Sequence, residues 1–226
     1  MRYGYSRYRD RREAGRALAE LLRRYADRDD VVVYALPRGG VPVAYEIATA
    51  LHAPLDVFTV RKLGVPGHEE LAMGAVAPGG LYVMDEGIVN SLGVSASEFG
   101  EVIRKEVAEA ERRDAAYRHH RPRPDVSGKI AIVVDDGLAT GSTMRVAVES
   151  LRRMAPRQII VAVPVGALDT CEMLQEEADK VICAATPEHF RAVGLYYEDF
   201  SQTTDEEVRD LLAHAFDAQA KRWSTR

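Results

Sequence analysis

Apolar positions along this chain fall into short β-branched runs, each followed by a stripe at helical spacing. Residues 31–36 form one unbroken apolar run, which predicts a strand buried on both faces. Ala44, Ile47, Ala48 and Leu51 then recur at helical spacing, with Pro42 tolerated in the first turn. Residues 55–60 are the next strand and run into Arg61-Lys62. The pattern returns at 130–134, followed by a helix on Met144, Ala147, Val148, Leu151 and Met154 that Pro156 stops. Residues 159–163 and 180–184 are two more strands, flanking a helix near 168–178. Strands alternating with helices predict an α/β fold built on a doubly wound parallel sheet.

Two segments break the alternation. Ser95-Ala96-Ser97-Glu98 reads as a capping box opening a long helix to about residue 120. Glu101 with Lys105 and Glu109 with Arg113 suit i,i+4 pairs on it. Phe99, Val102, Ile103 and Val107 are too few to bury both sides, so residues 88–124 are expected to form a helical insertion lying across the surface. At the N-terminus, Asp10 is a candidate N-cap for a helix whose apolar face is Ala14, Ala17, Leu18, Leu21, Leu22 and Tyr25. Arg2, Arg7, Arg9, Arg11 and Arg12 interleave with Tyr3, Tyr5 and Tyr8 ahead of that helix. Such an arm suits nucleic acid or a simple lead-in to the helix, and the second reading is preferred. The polar tail after residue 218 is expected to fray.

Composition narrows the class. A chain of 226 residues can bury one core, so residues 1–226 are read as a single domain. A formal charge of −5 gives no bulk attraction to nucleic acid, which is not expected as a partner. Cys171 and Cys183 are too few for a disulfide framework or a cysteine zinc site. No stretch resembles a signal peptide or reaches membrane-spanning length, so the expected location is cytoplasmic. His119-His120 and His189 have no metal-ligand spacing.

The chemistry concentrates after residue 134. An apolar strand ends in Asp135 and Asp136, a small-residue loop follows, and a helix begins at about Met144. Such a loop offers backbone N–H groups, and the helix N-terminus adds a favourable dipole, so an anion fits there. Paired carboxylates beside that anion suit hydroxyls or a magnesium ion. A phosphate, a vicinal diol and a metal together describe a phosphorylated ribose.

The stretch from Val133-Val134-Asp135-Asp136 through Gly137 to Thr143 resembles the 5-phosphoribosyl-1-pyrophosphate (PRPP) motif of type I phosphoribosyltransferases. The resemblance implies that Asp135 and Asp136 contact the ribose hydroxyls and serve the magnesium site, directly or indirectly. It implies that Ala139, Thr140, Gly141, Ser142 and Thr143 hold the 5′-phosphate. Gly137 departs from the pattern, since many members carry a branched apolar residue there. Pro37-Arg38-Gly39-Gly40 resembles the family's pyrophosphate loop, in which Gly39 and Gly40 let the backbone approach the diphosphate and Arg38 adds charge. Arg61 and Lys62 stand where a related subgroup places a basic diphosphate contact; the sequence does not rank them, and Lys62 is slightly preferred. Residues 64–80 stand at the family's mobile catalytic loop, with Gly64, Gly67, Gly74, Gly79 and Gly80 as hinges and His68, Glu69 and Glu70 as polar groups. Residues 71–75 are apolar enough that part of this stretch is a structural strand.

Resemblance to a bacterial branch of predicted phosphoribosyltransferases extends over about residues 10–212. It is carried also by Asp10-Arg11-Arg12-Glu13-Ala14-Gly15, Leu36-Pro37-Arg38-Gly39-Gly40-Val41-Pro42, Val60-Arg61-Lys62-Leu63-Gly64 and Ala192-Val193-Gly194-Leu195-Tyr196-Tyr197. It implies a small C-terminal hood at about 186–202, where Phe190, Tyr196, Tyr197 and Phe200 either stack on an acceptor base or serve as core aromatics. The expected activity is transfer of the phosphoribosyl group from PRPP, with magnesium, to a nitrogenous acceptor, with Asp135, Asp136 and Lys62 as its catalytic residues. A non-catalytic sensor of PRPP or nucleotides is the alternative, and a hydrolase using water as acceptor a weaker third. A homodimer is compatible with the long charged helix.

Overall fold

Each run of Val and Ile found above becomes a strand with no polar face, and the sheet therefore needs helices on both sides. The structure, a computed structural model, describes residues 7–77, 79–119, 121 and 123–224. In chain order, α1 (Arg11–Leu21) precedes β1 (Val31–Ala35), α2 (Gly40–Leu51) and β2 (Leu55–Val57). Then come β3 (Arg61–Val65), β4 (His68–Val76), β5 (Tyr82–Met84), α3 (Glu86–Ser91) and α4 (Ala96–Arg118). The series closes with β6 (Ile130–Val134), α5 (Ser142–Arg152), β7 (Gln158–Val165), α6 (Leu168–Leu174), β8 (Lys180–Ala185) and α7 (Asp205–Ser224).

Five strands make one parallel sheet in the order β2-β1-β6-β7-β8. Alternate side chains of β1 and β6 feed two cores. Val31, Val33, Ile130 and Ile132 face α1, α2 and α7, whereas Val32, Tyr34, Ala131 and Val133 face α5 and α6. The fold is thus a doubly wound α/β layer structure, as the alternating pattern predicts. The chain leaves β1 for β2 on one side and returns to β6 on the other, so β1 and β6 flank the point where the winding reverses. Ligands of open α/β sheets bind at the carboxyl ends of strands at such a point.

A second, antiparallel sheet, β3-β4-β5, carries its own small core of Leu63, Val65, Met73, Val76 and Phe99, packed with Ile88, Val102 and Ile103. It replaces much of the expected mobile loop. Pro66-Gly67 forms the tip of a hairpin, with Val65 opposite His68. Gly64 and Gly74 are required for close strand packing rather than as hinges. A Cβ on Gly64 would lie 2.7 Å from the Glu69 carbonyl oxygen, and one on Gly74 2.2 Å from that of Val83. The strand expected over 55–60 ends at Val57, because Phe58 turns inward to pack edge-on against Tyr34 at 5.9 Å.

The capping box forms as read, with Ser95 Oγ accepting from the Glu98 N–H. α4 lays Phe99, Val102, Ile103 and Val107 on the small sheet, and the Glu109–Arg113 pair forms at 2.7 Å. Its far end is anchored inside the main body. Arg118 Nε donates to Asp56 Oδ1 at 2.8 Å and Nη2 to Asp114 Oδ1 at 2.9 Å, while Tyr117 OH donates to Asp205 at 2.7 Å. Burial raises the Asp56 carboxyl above the ordinary carboxylate range, and Arg118 opposes that shift.

Asp10 caps α1 by accepting from the Glu13 N–H at 2.7 Å, as expected. The buried face is rotated from the one read in sequence: Gly15 and Ala19 are buried, while Ala17 and Leu21 are exposed. Gly15 sets this register, since a Cβ there would lie 2.6 Å from the Val43 carbonyl oxygen of α2. Cys171 of α6 and Cys183 of β8 form a disulfide, a pairing that two cysteines twelve residues apart do not announce. Among the described residues no helix is long and apolar enough to cross a membrane. Arg2, Tyr3, Tyr5, His120 and Pro122 lie outside the described residues.

Candidate functional site

Two loops leave the carboxyl edge at the winding reversal. The first follows β1: the Leu36 N–H donates to the Val134 carbonyl at 2.9 Å, and the chain turns through a cis Pro37–Arg38 peptide into α2. Nothing among the described residues accepts from the N–H groups of Arg38 and Gly39. The second follows β6. There the N–H groups of Thr140, Gly141, Ser142, Thr143 and Met144 also lack an acceptor among the described residues. Gly141 (φ 71°) makes this turn, and a Cβ there would also meet Thr170 Cγ2 at 2.7 Å. Thr170 Oγ1 donates to the Ala139 carbonyl at 2.7 Å and ties the loop to α6. Clustered free amides at a helix N-terminus form an anion cradle.

The two loops meet at the paired acids. A Cβ on Gly39 would lie 2.0 Å from Asp136 Oδ2, and one on Gly40 2.7 Å from the Val134 carbonyl oxygen. These glycines therefore make room for the acid pair itself. The Asp136 N–H donates to Asp135 Oδ1 at 2.8 Å, and Arg11 Nε donates to Asp136 Oδ2 at 2.8 Å. Burial, reinforced by the neighbouring Asp136 charge, pushes the Asp135 carboxyl well above the ordinary range. Asp136 is raised as well, chiefly by burial, with Arg11 opposing the shift.

Arg11 lies in a stretch that carries the family resemblance, but its place at the site is not legible in the sequence. It reaches the acids from the first turn of α1, where a cation opposes the helix dipole, and a charge so placed hints at a partner elsewhere. Tyr197, one of the aromatics named in the candidate hood, takes the core role rather than an exposed stacking one. Its buried hydroxyl donates to the Asp136 carbonyl at 2.6 Å, and burial raises its pKa far above that of an ordinary phenol. Gly137, the departure from the family pattern, is explained here. Val193 lies over it, and a Cβ at Gly137 would be 2.5 Å from Val193 Cγ1.

The remaining candidates separate. Lys62 is exposed and lines a cleft of about 490 Å³ with Ser142 and Thr143, at the amide-lined start of α5. Arg61, its neighbour on β3, points to α4 and is held by Glu106, Nε to Oε2 at 2.8 Å. Arg38 lies at the mouth of the first loop, 3.8 Å from Asp205. His68 sits at the hairpin tip with Leu92 and Glu98, away from the acid pair, and Glu69 and Glu70 are exposed beside it. The segment 186–202 contains a 3₁₀ turn, Val193–Tyr196. Phe190 stacks on Tyr196 at 5.7 Å, Tyr197 is core, and Phe200 is exposed beneath Arg11.

A doubly wound sheet with two amide-lined loops meeting at paired acids has the features of an anion-binding site at its winding reversal. The chain belongs to the phosphoribosyl transferase domain family, which matches residues 4–200. It is 44% identical over 206 residues to proteins of two Mycobacterium tuberculosis strains that carry provisional phosphoribosyl transferase names. The match covers 91% of this chain and 46% of theirs, so the chain spans about half the length of these curated relatives. The crystal structure of TT1426 from Thermus thermophilus superposes with a TM-score of 0.80 at 39% identity, covering 92% of this chain and 98% of that one. AQ2163 from Aquifex aeolicus shares the fold at a TM-score of 0.52 and 12% identity, over 89% of this chain and 84% of its own.

Proposed function

We propose that this protein is a phosphoribosyltransferase: it moves the 5-phosphoribosyl group of PRPP to a nitrogenous acceptor and releases pyrophosphate. The observation that carries the reading is the row of N–H groups from Thr140 to Met144 that lack an acceptor among the described residues, on the loop that leaves the acid pair. In this reading the row binds the 5′-phosphate, a remote handle whose binding energy positions the reacting carbon. Asp135 and Asp136 accept from the ribose hydroxyls and lie near the positive charge that develops on the ring as the bond to pyrophosphate breaks. Arg38, Lys62 and the amides of Arg38 and Gly39 receive the departing diphosphate.

Magnesium fits this site as a companion of the diphosphate. Among the described residues no cluster of three or more His, Cys, Asp or Glu could hold a metal without other ligands. Magnesium is commonly held by one or two carboxylates together with substrate phosphates, and Asp135 and Asp136 suit that part, directly or through the ribose hydroxyls. When bound it supplies charge neutralisation for the diphosphate.

Calorimetric titration of PRPP with magnesium into wild type and Asp136→Asn tests the reading. Wild type is expected to bind, and the variant to bind about tenfold more weakly or worse while remaining folded. Equal binding would remove the proposed role of the acid. A panel of purine and pyrimidine bases, scored by pyrophosphate release, then separates a transferase from a PRPP sensor without transfer chemistry.

A further inference from the structure

Arg11 is a cation in an unfavourable place. It stands in the first turn of α1, against the positive end of the helix dipole, and only 11% of its side chain is exposed. Contacts from outside its own helix hold it there. Nε donates to Asp136 Oδ2 at 2.8 Å, Nη1 donates to the Ser201 carbonyl at 2.7 Å, and the guanidinium lies 4.0 Å above the Phe200 ring centre. A planar fork held on an edge, at a second donor and on a face has one orientation, and so does the carboxylate it grips.

The consequence lies in which oxygens are left. Arg11 takes Oδ2 of Asp136, and the Asp136 N–H takes Oδ1 of Asp135. No other side chain among the described residues donates to either carboxylate. Each acid thus keeps one oxygen for a ligand, and a vicinal diol has two hydroxyls to donate. The guanidinium also cancels one of two negative charges beside a binding site for a polyanion.

We propose that Arg11 is a positioning residue that fits the acid pair to a cis-diol, so that it sets selectivity for ribose over 2-deoxyribose phosphates. The inference rests on the phosphoribosyl reading above. A residue that merely stabilised α1 would lower affinity for both sugars alike; one that aims Asp136 changes their ratio.

The test is calorimetric titration of ribose 5-phosphate and 2-deoxyribose 5-phosphate into wild type, Arg11→Ala and Arg11→Lys. Wild type is expected to favour the ribose compound by about tenfold, the worth of one hydrogen bond to a charged group. Arg11→Ala is expected to bring that ratio close to one, with guanidinium chloride at low, non-denaturing concentration restoring part of it. Arg11→Lys keeps the charge without the fork, and is expected to fold and to retain more affinity than selectivity; it decides the matter if Arg11→Ala does not fold. A wild-type ratio preserved in the folded variants would overturn the role of Arg11 and leave the phosphoribosyl reading standing. Wild type binding neither sugar phosphate, nor PRPP, would overturn both.

Discussion

At the residue scale the acid pair was legible because its parts are neighbours in sequence: a strand end, two acids, small residues and a helix start all fall within residues 130–144. Arg11 was not, because its partner is 125 positions away and no local pattern carries that distance. Gly137 was legible only as an oddity, since its cause, Val193, arrives from the other end of the chain. The burial of Asp135 has a thermodynamic consequence. Its folded-state proton affinity exceeds that of the unfolded chain, so the unfolded state loses its proton first as pH rises. Stability therefore falls as pH climbs from the ordinary carboxylate range toward the raised folded value. Asp135→Asn, which can still accept from the Asp136 N–H, is expected to be more stable than wild type at pH 7. That advantage should vanish below about pH 4, where the wild-type carboxyl is protonated in both states. Urea denaturation at both pH values checks this, and equal stability at pH 7 would contradict it.

At the element scale the parallel strands were readable from their apolar runs, whereas the hairpin of β3 and β4 was largely hidden. Its glycines read as hinges, yet Gly64 and Gly74 are glycine because neighbouring backbone carbonyls leave no room for a Cβ. The hairpin also separates two cations between which the sequence only slightly preferred Lys62. Successive strand residues face opposite ways, so Lys62 turns to the cleft beside Ser142 while Arg61 turns to Glu106. Lys62→Ala is expected to weaken PRPP binding by about tenfold with an unchanged melting temperature, the loss of one charge-assisted contact. Arg61→Ala is expected to leave binding unchanged and to cost about 1 kcal/mol of stability, as a partly exposed ion pair does. Parallel calorimetry and thermal melts would distinguish them, and the reverse assignment would show that the hairpin presents its other face to the ligand.

At the scale of the whole molecule, the sheet order and the disulfide lay beyond reading, since both depend on which distant segments meet. The disulfide closes a short loop between α6 and β8, next to the Thr170 that anchors the loop after β6. By the loop-entropy relation such a link contributes about 2–3 kcal/mol, largely by restricting the unfolded chain. Treatment with dithiothreitol is expected to lower the melting temperature by several degrees while the sheet persists; an unchanged melt with both thiols shown free by mass measurement would contradict this. The grip of Arg11 has its own consequence for how the protein comes into being. Its guanidinium joins residue 11 to residues 136 and 201, separations of 125 and 190. Contacts so remote in sequence carry the largest loop-closure cost and tend to form late in folding. As the chain leaves the ribosome, the N-terminal helix must wait for nearly every other element before its arginine finds both partners. Docking of that arginine on the acid pair is therefore expected only after residues 136 and 201 have both reached their places in the fold.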